Sequence, residues 1–194
     1  MRLWGSWLMR VARGERIYVL RGPFGRRTVL AFGALRSNSA DPLPAISEVD
    51  ERLGTTTQVF DASAIAGHAH LVCGAFSALT SWSEGWNFTE SLKLELICHT
   101  ASDRQITRAI GKVGVKPGVR KLAFLVIGSS RENVRAAARE ISSALGLRRD
   151  DGVLDIGPEK LKRLARLYSI SDAELRCSSI EDLIFERISL LGLG

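Results

Sequence analysis

At 194 residues, with 45% hydrophobic and 25% charged residues, the chain has the length and composition of one globular domain, which excludes a largely disordered protein. A formal net charge of +6 favours an acidic partner such as nucleic acid. No apolar run approaches the roughly 20 residues needed to span a bilayer, so no membrane partner is expected.

Met1 to Val11 is broken up by Gly5, Ser6 and Arg10, and no small-residue cleavage site follows. That argues against a signal peptide and for a cytoplasmic protein. Cys73, Cys98 and Cys177 are odd in number, far apart and set in apolar helical patterns, which predicts buried free thiols. Charge is uneven along the chain. Residues 1–36 carry eight arginines against Glu15 alone, whereas residues 172–194 carry five carboxylates against Arg176 and Arg187. The two ends are expected to face different partners, unless their charges only solvate the surface.

Glu15–Leu20 and Thr28–Leu35 flank Gly22-Pro23-Phe24-Gly25 and predict strand, turn, strand. Ala45–Leu53 places Ile46, Val49 and Leu53 on one face and stops at Gly54, a short surface helix. Thr55–Phe60 is β-branched and reads as a strand. His68–Leu79 is apolar nearly all round, with Gly74, Ala75 and Ala78 permitting close approach, as in a buried helix. Trp82 and Trp86 could stack on bases but are expected to tuck against the core. In Thr89–Thr100, Leu92, Leu94, Leu96 and Cys98 alternate like a strand. Length and lack of β-branching favour a helix capped by Thr89.

The next helix is the clearest. Ile106, Ala109, Ile110 and Val113 recur at helical period, with Asp103 as the expected N-cap and Gly114 as a left-handed terminator. Arg104, Arg108 and Lys112 recur every four residues and predict one cationic face. Lys116, Arg120 and Lys121 follow, and Leu122–Ile127 reads as a strand buried on both faces. Ser129 with Glu132 predicts a capping box for a helix over Ser130–Leu145, packed through Val134, Ala138, Ile141 and Leu145. Arg148–Gly152 reads as a charged turn. Pro158 opens a helix bearing Leu161, Leu164, Ala165 and Tyr168. Two more capping boxes are expected, Ser171 with Glu174 and Ser178 with Glu181. The final helix carries Ile180, Leu183, Ile184, Ile188 and Leu191, widened by Phe185 and Leu190. That is more apolar surface than docking on its own domain requires. The fold expected is mixed α/β, a single helix-rich domain over residues 1–194, with a small sheet and a C-terminal helical segment from residue 158.

Catalytic motifs are absent: there is no phosphate loop with its lysine, no dinucleotide fingerprint, no nucleophile elbow and no kinase signature. Gly128-Ser129-Ser130 between strand and helix could hold a phosphate, though a capping box looks the same. His68 and His70 stand two apart and would diverge on a helix, so no metal is expected. Glu95, embedded in apolar sequence, is expected to pair with Arg104 or another cation rather than act as an acid or base. No catalytic residue, cofactor or small-molecule substrate is assigned. The cations Arg104, Arg108, Lys112, Lys116 and Arg120, with Lys93, form the expected RNA-binding set.

The run S-L-K-L-E-L-I-C-H-T-A-S-D-R-Q-I-T-R-A-I-G-K-V-G-V resembles the signature of the small PRPK-binding subunit of the KEOPS complex. I-A-G-H-A-H-L-V-C-G-A-F-S-A resembles that family's His-Leu helix, and I-E-D-L-I-F-E-R-I-S-L-L its closing motif, with Ser189 where alanine is usual. The resemblance covers residues 59–127 and 168–191 and is poor over residues 1–58. It implies a non-catalytic accessory subunit of the complex that makes threonylcarbamoyladenosine in tRNA. In the last helix, spacing makes Ile180, Leu183, Ile184, Ile188 and Leu191, with Phe185, anchors for a groove unless the helix simply completes the core. The resemblance implies that this region docks with a neighbouring helix on a PRPK-type kinase subunit. The family's archaeal members hold tRNA by its 3′ CCA end, which adds weight to RNA. The alternatives are a small phosphate- or nucleotide-binding enzyme using Gly128-Ser129-Ser130, and a free-standing RNA-binding protein.

Overall fold

The six apolar residues Leu122–Ile127 lie at the centre of the molecule, none more than 4% exposed. The computed structural model describes residues 8–10, 16–37 and 40–191; Arg2, Arg13 and Glu15 of the basic N-terminal stretch lie outside them. Among the described residues one antiparallel sheet contains β1 (Leu8–Arg10), β2 (Ile17–Gly22), β3 (Gly25–Arg36), β4 (Thr56–Asp61), β5 (Lys121–Gly128) and β6 (Leu147–Arg149). The order is β1-β2-β3-β5-β4, and β6 joins β3 beyond the end of β2. β5 is therefore paired on both sides and covered on both faces, as its unbroken apolar run predicts. Phe32 of β3 stands opposite Phe124 of β5, with their rings stacked at 4.9 Å.

Helices cover the two faces. On one, α1 (Leu43–Leu53) and α5 (Arg131–Ala144) bring Ile46, Val49, Val134 and Ile141 against Leu30, Phe32, Leu122 and Phe124. On the other, α2 (Gly67–Glu84), α3 (Leu92–Ala101) and α4 (Ile106–Val113) pack over Val29, Phe60, Leu125 and Ile127. Behind α2 lie α6 (Pro158–Leu167), α7 (Asp172–Leu175) and α8 (Ile180–Leu191), in a third cluster around Cys73, Leu164 and Tyr168. The result is a mixed α/β domain with helices in the majority.

Several local expectations shift. The segment 148–152 is not simply a turn, because Leu147–Arg149 pairs with β3. Three residues, two of them exposed arginines, carry too little pattern to reveal a strand. A 3-10 turn at Asp151–Leu154 follows, and its Asp151 carboxylate accepts from Gly33 N at 2.8 Å while Asp150 N donates to Gly33 O at 2.9 Å. A Cβ on Gly33 would lie 2.6 Å from Asp150 O, so the close approach requires glycine.

Helix caps also move. Gln105, not Asp103, is the N-cap of α4, and Asp103 Oδ1 accepts from Gln105 N. Gly114 has φ −70 and is not left-handed. Ser130 caps α5 by accepting from Asn133 N, so the expected Ser129–Glu132 pair is displaced by one residue. Ser179 and Asp182 bond at the start of α8 where Ser178 and Glu181 were expected. Ser171 and Glu174 do form a capping box. Thr89 does not cap α3, whose N-cap is Ser91. Cys73 and Cys98 are buried free thiols, pushed up by burial to about 12 and about 11, but Cys177 is exposed in a turn.

Candidate nucleic-acid groove and docking face

The expected cationic face of α4 is dismantled by the fold. Arg104 precedes the helix, donates to Leu191 O and lies over the Phe88 ring. Arg108 pairs with Asp103 at 3.0 Å, so a carboxylate offsets its charge. Lys112 turns inward, donating to Ala101 O at 2.7 Å with its ammonium 4.2 Å from the Tyr168 ring centroid. Burial pushes the Lys112 pKa down. A three-cation stripe read from spacing thus becomes three separate structural roles.

Cations gather elsewhere. A groove of about 620 Å³ runs beside β4, walled by α1, α3, α4 and the loop 114–117. β4 is the last strand of the sheet, so its outer edge faces this groove. The edge is partly occupied from within: Thr57 N donates to Asp50 Oδ2 at 2.9 Å, and Val59 O accepts from Gln58 Nε2 at 3.0 Å. Leu94, Ile97 and Val115 line it, joined by Leu43 and Ile110, which are 53% and 43% exposed. Lys93 and Lys116 stand in its wall, with Arg36 and Asp41 also lining it. The Lys93 ammonium lies 2.7 Å from Asp50 Oδ2, a carboxylate that also accepts from the Thr55 and Thr57 hydroxyls. Lys116 and Arg120 are exposed, Arg120 reaching Ser37 O at 3.4 Å. Sequence spacing could not reveal this groove, since its walls come from four separate elements.

The last helix is used differently from its apolar content. Ile180, Leu183, Ile184 and Ile188 are all under 9% exposed and pack on the third cluster with Cys73, Leu164 and Tyr168. These four anchors therefore belong to the domain's own core. Phe185 and Leu191 are half-buried, and Leu190 is 52% exposed. α8 packs against α2, and the end of α2 carries Trp82 at 38% exposure, with Trp86 beyond it at 39%. The tryptophans are not tucked away as expected. Contacts link Trp86 to α8: it meets His99 edge-on, His99 stacks on Phe88, and Arg104 bridges Phe88 and Leu191.

With these surfaces in place, comparison with known families is decisive. The model for kinase binding protein CGI-121 matches residues 43–192. The chain belongs to the CGI-121 family. The match spans α1 to α8 and so reaches well beyond the segments that carry the sequence resemblance. No curated protein matches the chain.

Two buried polar side chains of this CGI-121 chain, Glu95 and His70, are occupied with structure. Glu95 is fully buried and accepts from the Ser81 and Thr89 hydroxyls, Phe88 N, Thr89 N and His99 Nε2. Its side-chain neighbour at 3.0 Å is His99, not Arg104. Burial pushes its pKa up, but hydrogen bonds from His99, Ser81 and Phe88 outweigh this and hold it below the ordinary carboxylate value. His70 caps the start of α2 by accepting from Ala66 N at 3.0 Å, and its Nε2 bonds Thr100 O. Among the described residues no His, Cys, Asp and Glu cluster could hold a metal. No helix of the described residues is long and apolar enough to cross a membrane. The Gly128-Ser129-Ser130 turn is filled by its own chain. Ser129 N donates to Asn133 Oδ1, Ser130 Oγ accepts from Asn133 N, and a Cβ on Gly128 would meet Asn133 Oδ1 at 2.1 Å.

Proposed function

We propose that this chain is a non-catalytic accessory subunit of the KEOPS complex for tRNA threonylcarbamoyladenosine modification. It binds the PRPK-type kinase subunit and holds the single-stranded 3′ CCA end of tRNA in the groove beside β4. The groove is the observation that carries the RNA part. Its aliphatic walls suit the faces of unstacked bases, and the exposed Lys116 suits a phosphate, while Lys93 is paired with Asp50. Arg120 extends the cationic rim, while Arg104, Arg108 and Lys112 act mainly through the structure they hold. For the kinase, membership of a kinase-binding family supports the partner. The contact strip is the outer side of α8 (Phe185, Leu190 and Leu191) with Trp82 and Trp86. The buried Ile180, Leu183, Ile184 and Ile188 hold that strip in place.

The test is tRNA binding, intact and lacking its 3′ CCA, by wild type and by Leu43→Asp/Ile110→Asp. CCA-dependent binding lost in the double variant supports the reading, whereas equal binding of both RNAs by both proteins sinks it. Kinase capture lost on Trp82→Ala/Leu190→Asp separates a KEOPS subunit from a free-standing RNA-binding protein. The enzyme alternative is disfavoured because Asn133 occupies Ser129 N and Ser130 Oγ, two of the groups a phosphate would use.

A further inference from the structure

Gln58 stands on β4 where it lines the groove, and it is 6% exposed. Its amide donates to Val59 O at 3.0 Å. Only the NH₂ group can face a carbonyl, so the orientation of the carboxamide is settled by chemistry. Oε1 accepts no hydrogen bond among the described residues. It is also not one of the atoms sealed from solvent without a partner. Gln58 thus brings an acceptor without a partner, on a buried side chain, to a groove that Leu94 and Ile97 also line. An acceptor in such a site discriminates strongly, because a ligand lacking the matching donor leaves it unpaired and strips its water.

We propose that Gln58 is a specificity-determining residue of this groove, its Oε1 accepting from the exocyclic amine of an RNA base. The inference rests on the reading that the groove holds a single-stranded RNA end. The amine would be the 6-amino group of adenine or the 4-amino group of cytosine. Hypoxanthine and uracil present an oxo group at the same place, which would oppose one oxygen to another. The second Nε2 hydrogen remains for a ring nitrogen, the two-point geometry by which glutamine reads adenine. Lys116, exposed in the same wall, is the cation left for a phosphate, since Lys93 is held against Asp50.

The experiment uses tRNA whose last three positions are changed one at a time, adenosine to inosine or cytidine to uridine, with affinities read by anisotropy at fixed salt. Wild type should lose about tenfold at one of the three positions, about 1.4 kcal/mol. Gln58→Leu should bind the changed and unchanged RNAs equally. Discrimination that persists in Gln58→Leu overturns the assignment. Should that variant fail to fold, the wild-type comparison still decides: no preference at any position overturns it. A wild type without preference whose binding still falls with Leu43→Asp/Ile110→Asp removes Gln58 alone. Binding unaffected by the groove substitutions removes both Gln58 and the groove reading.

Discussion

The guanidinium of Arg104 donates from Nε at 3.1 Å and Nη2 at 2.6 Å to the carbonyl oxygen of Leu191, 87 residues further along the chain. The final carbonyls of a helix have no helical partners, and a cation there also meets the negative end of the helix dipole. Arg104 lies over Phe88 as well, so one side chain joins the end of α8 to the segment that follows Trp86. A residue that sequence spacing assigns to RNA thereby fastens the end of α8 to Phe88.

Arg104→Ala should lower stability by about 1 kcal/mol, seen as a fall of several degrees in the thermal midpoint. Kinase capture should weaken while tRNA affinity changes less than twofold. A tenfold loss of tRNA affinity at unchanged kinase capture would return Arg104 to the RNA set.

Ile184→Asp should abolish the cooperative thermal transition, because it puts an unpaired charge at a fully buried position, at a cost of about 4 kcal/mol or more. Leu190→Asp, at an exposed position of the same helix, should change stability by less than about 0.5 kcal/mol. A folded Ile184→Asp protein with normal melting would refute the placement of this helix in the core.

Lys116→Glu should weaken tRNA binding more than Arg108→Glu does, since Arg108 is already paired with Asp103 and Lys116 is exposed in the groove wall. Removing Lys116 should also reduce the slope of log affinity against log salt by about 0.7, the value for one single-strand phosphate contact. Titrations at several salt concentrations measure both effects.

The pH dependence of stability should show two stages below neutrality. Burial pushes His70 down to about 4 from its ordinary 6.5, so the folded protein refuses a proton that the unfolded chain accepts. Stability therefore falls between about pH 6.5 and 4, by on the order of 3 kcal/mol. Glu95 is depressed below 4.5, and its contribution is present above that value and lost as pH falls through the folded one. Urea midpoints from pH 8 to 3 should flatten in the upper stage for His70→Gln and in the lower for Glu95→Gln.

Gly33→Ala should cost about 1–3 kcal/mol, because the added methyl meets Asp150 O and Val153 Cγ2, both at 2.6 Å. Gly25→Ala would meet nothing within 4 Å and would be penalised only for its φ of +77. Chemical denaturation of the two variants tests whether the 3-10 turn after β6 needs that close approach.

Periodicity makes much of the fold legible in the chain itself. The apolar run Leu122–Ile127, the stripe Val134, Ala138, Ile141 and Leu145, and the Pro158 helix start are local patterns imposed by burial on one element at a time. β6 is not legible, because its pairing depends on β3 outlasting β2 rather than on its own three residues. Caps slip by one or two residues for a related reason: serines and carboxylates adjoin one another in this sequence, and only the backbone path chooses among them.

Sequence by itself determined the mixed α/β class, the helices, the buried central strand and the family to which the chain belongs, because each is written in contiguous residues. Tertiary structure alone decided what the charged and apolar side chains do. Asp50 meets Lys93, Arg104 meets Leu191 and Ile184 meets the α2–α6 core across tens of residues. A cation is free or spent, and an isoleucine is core or contact, according to partners that spacing along one helix cannot name.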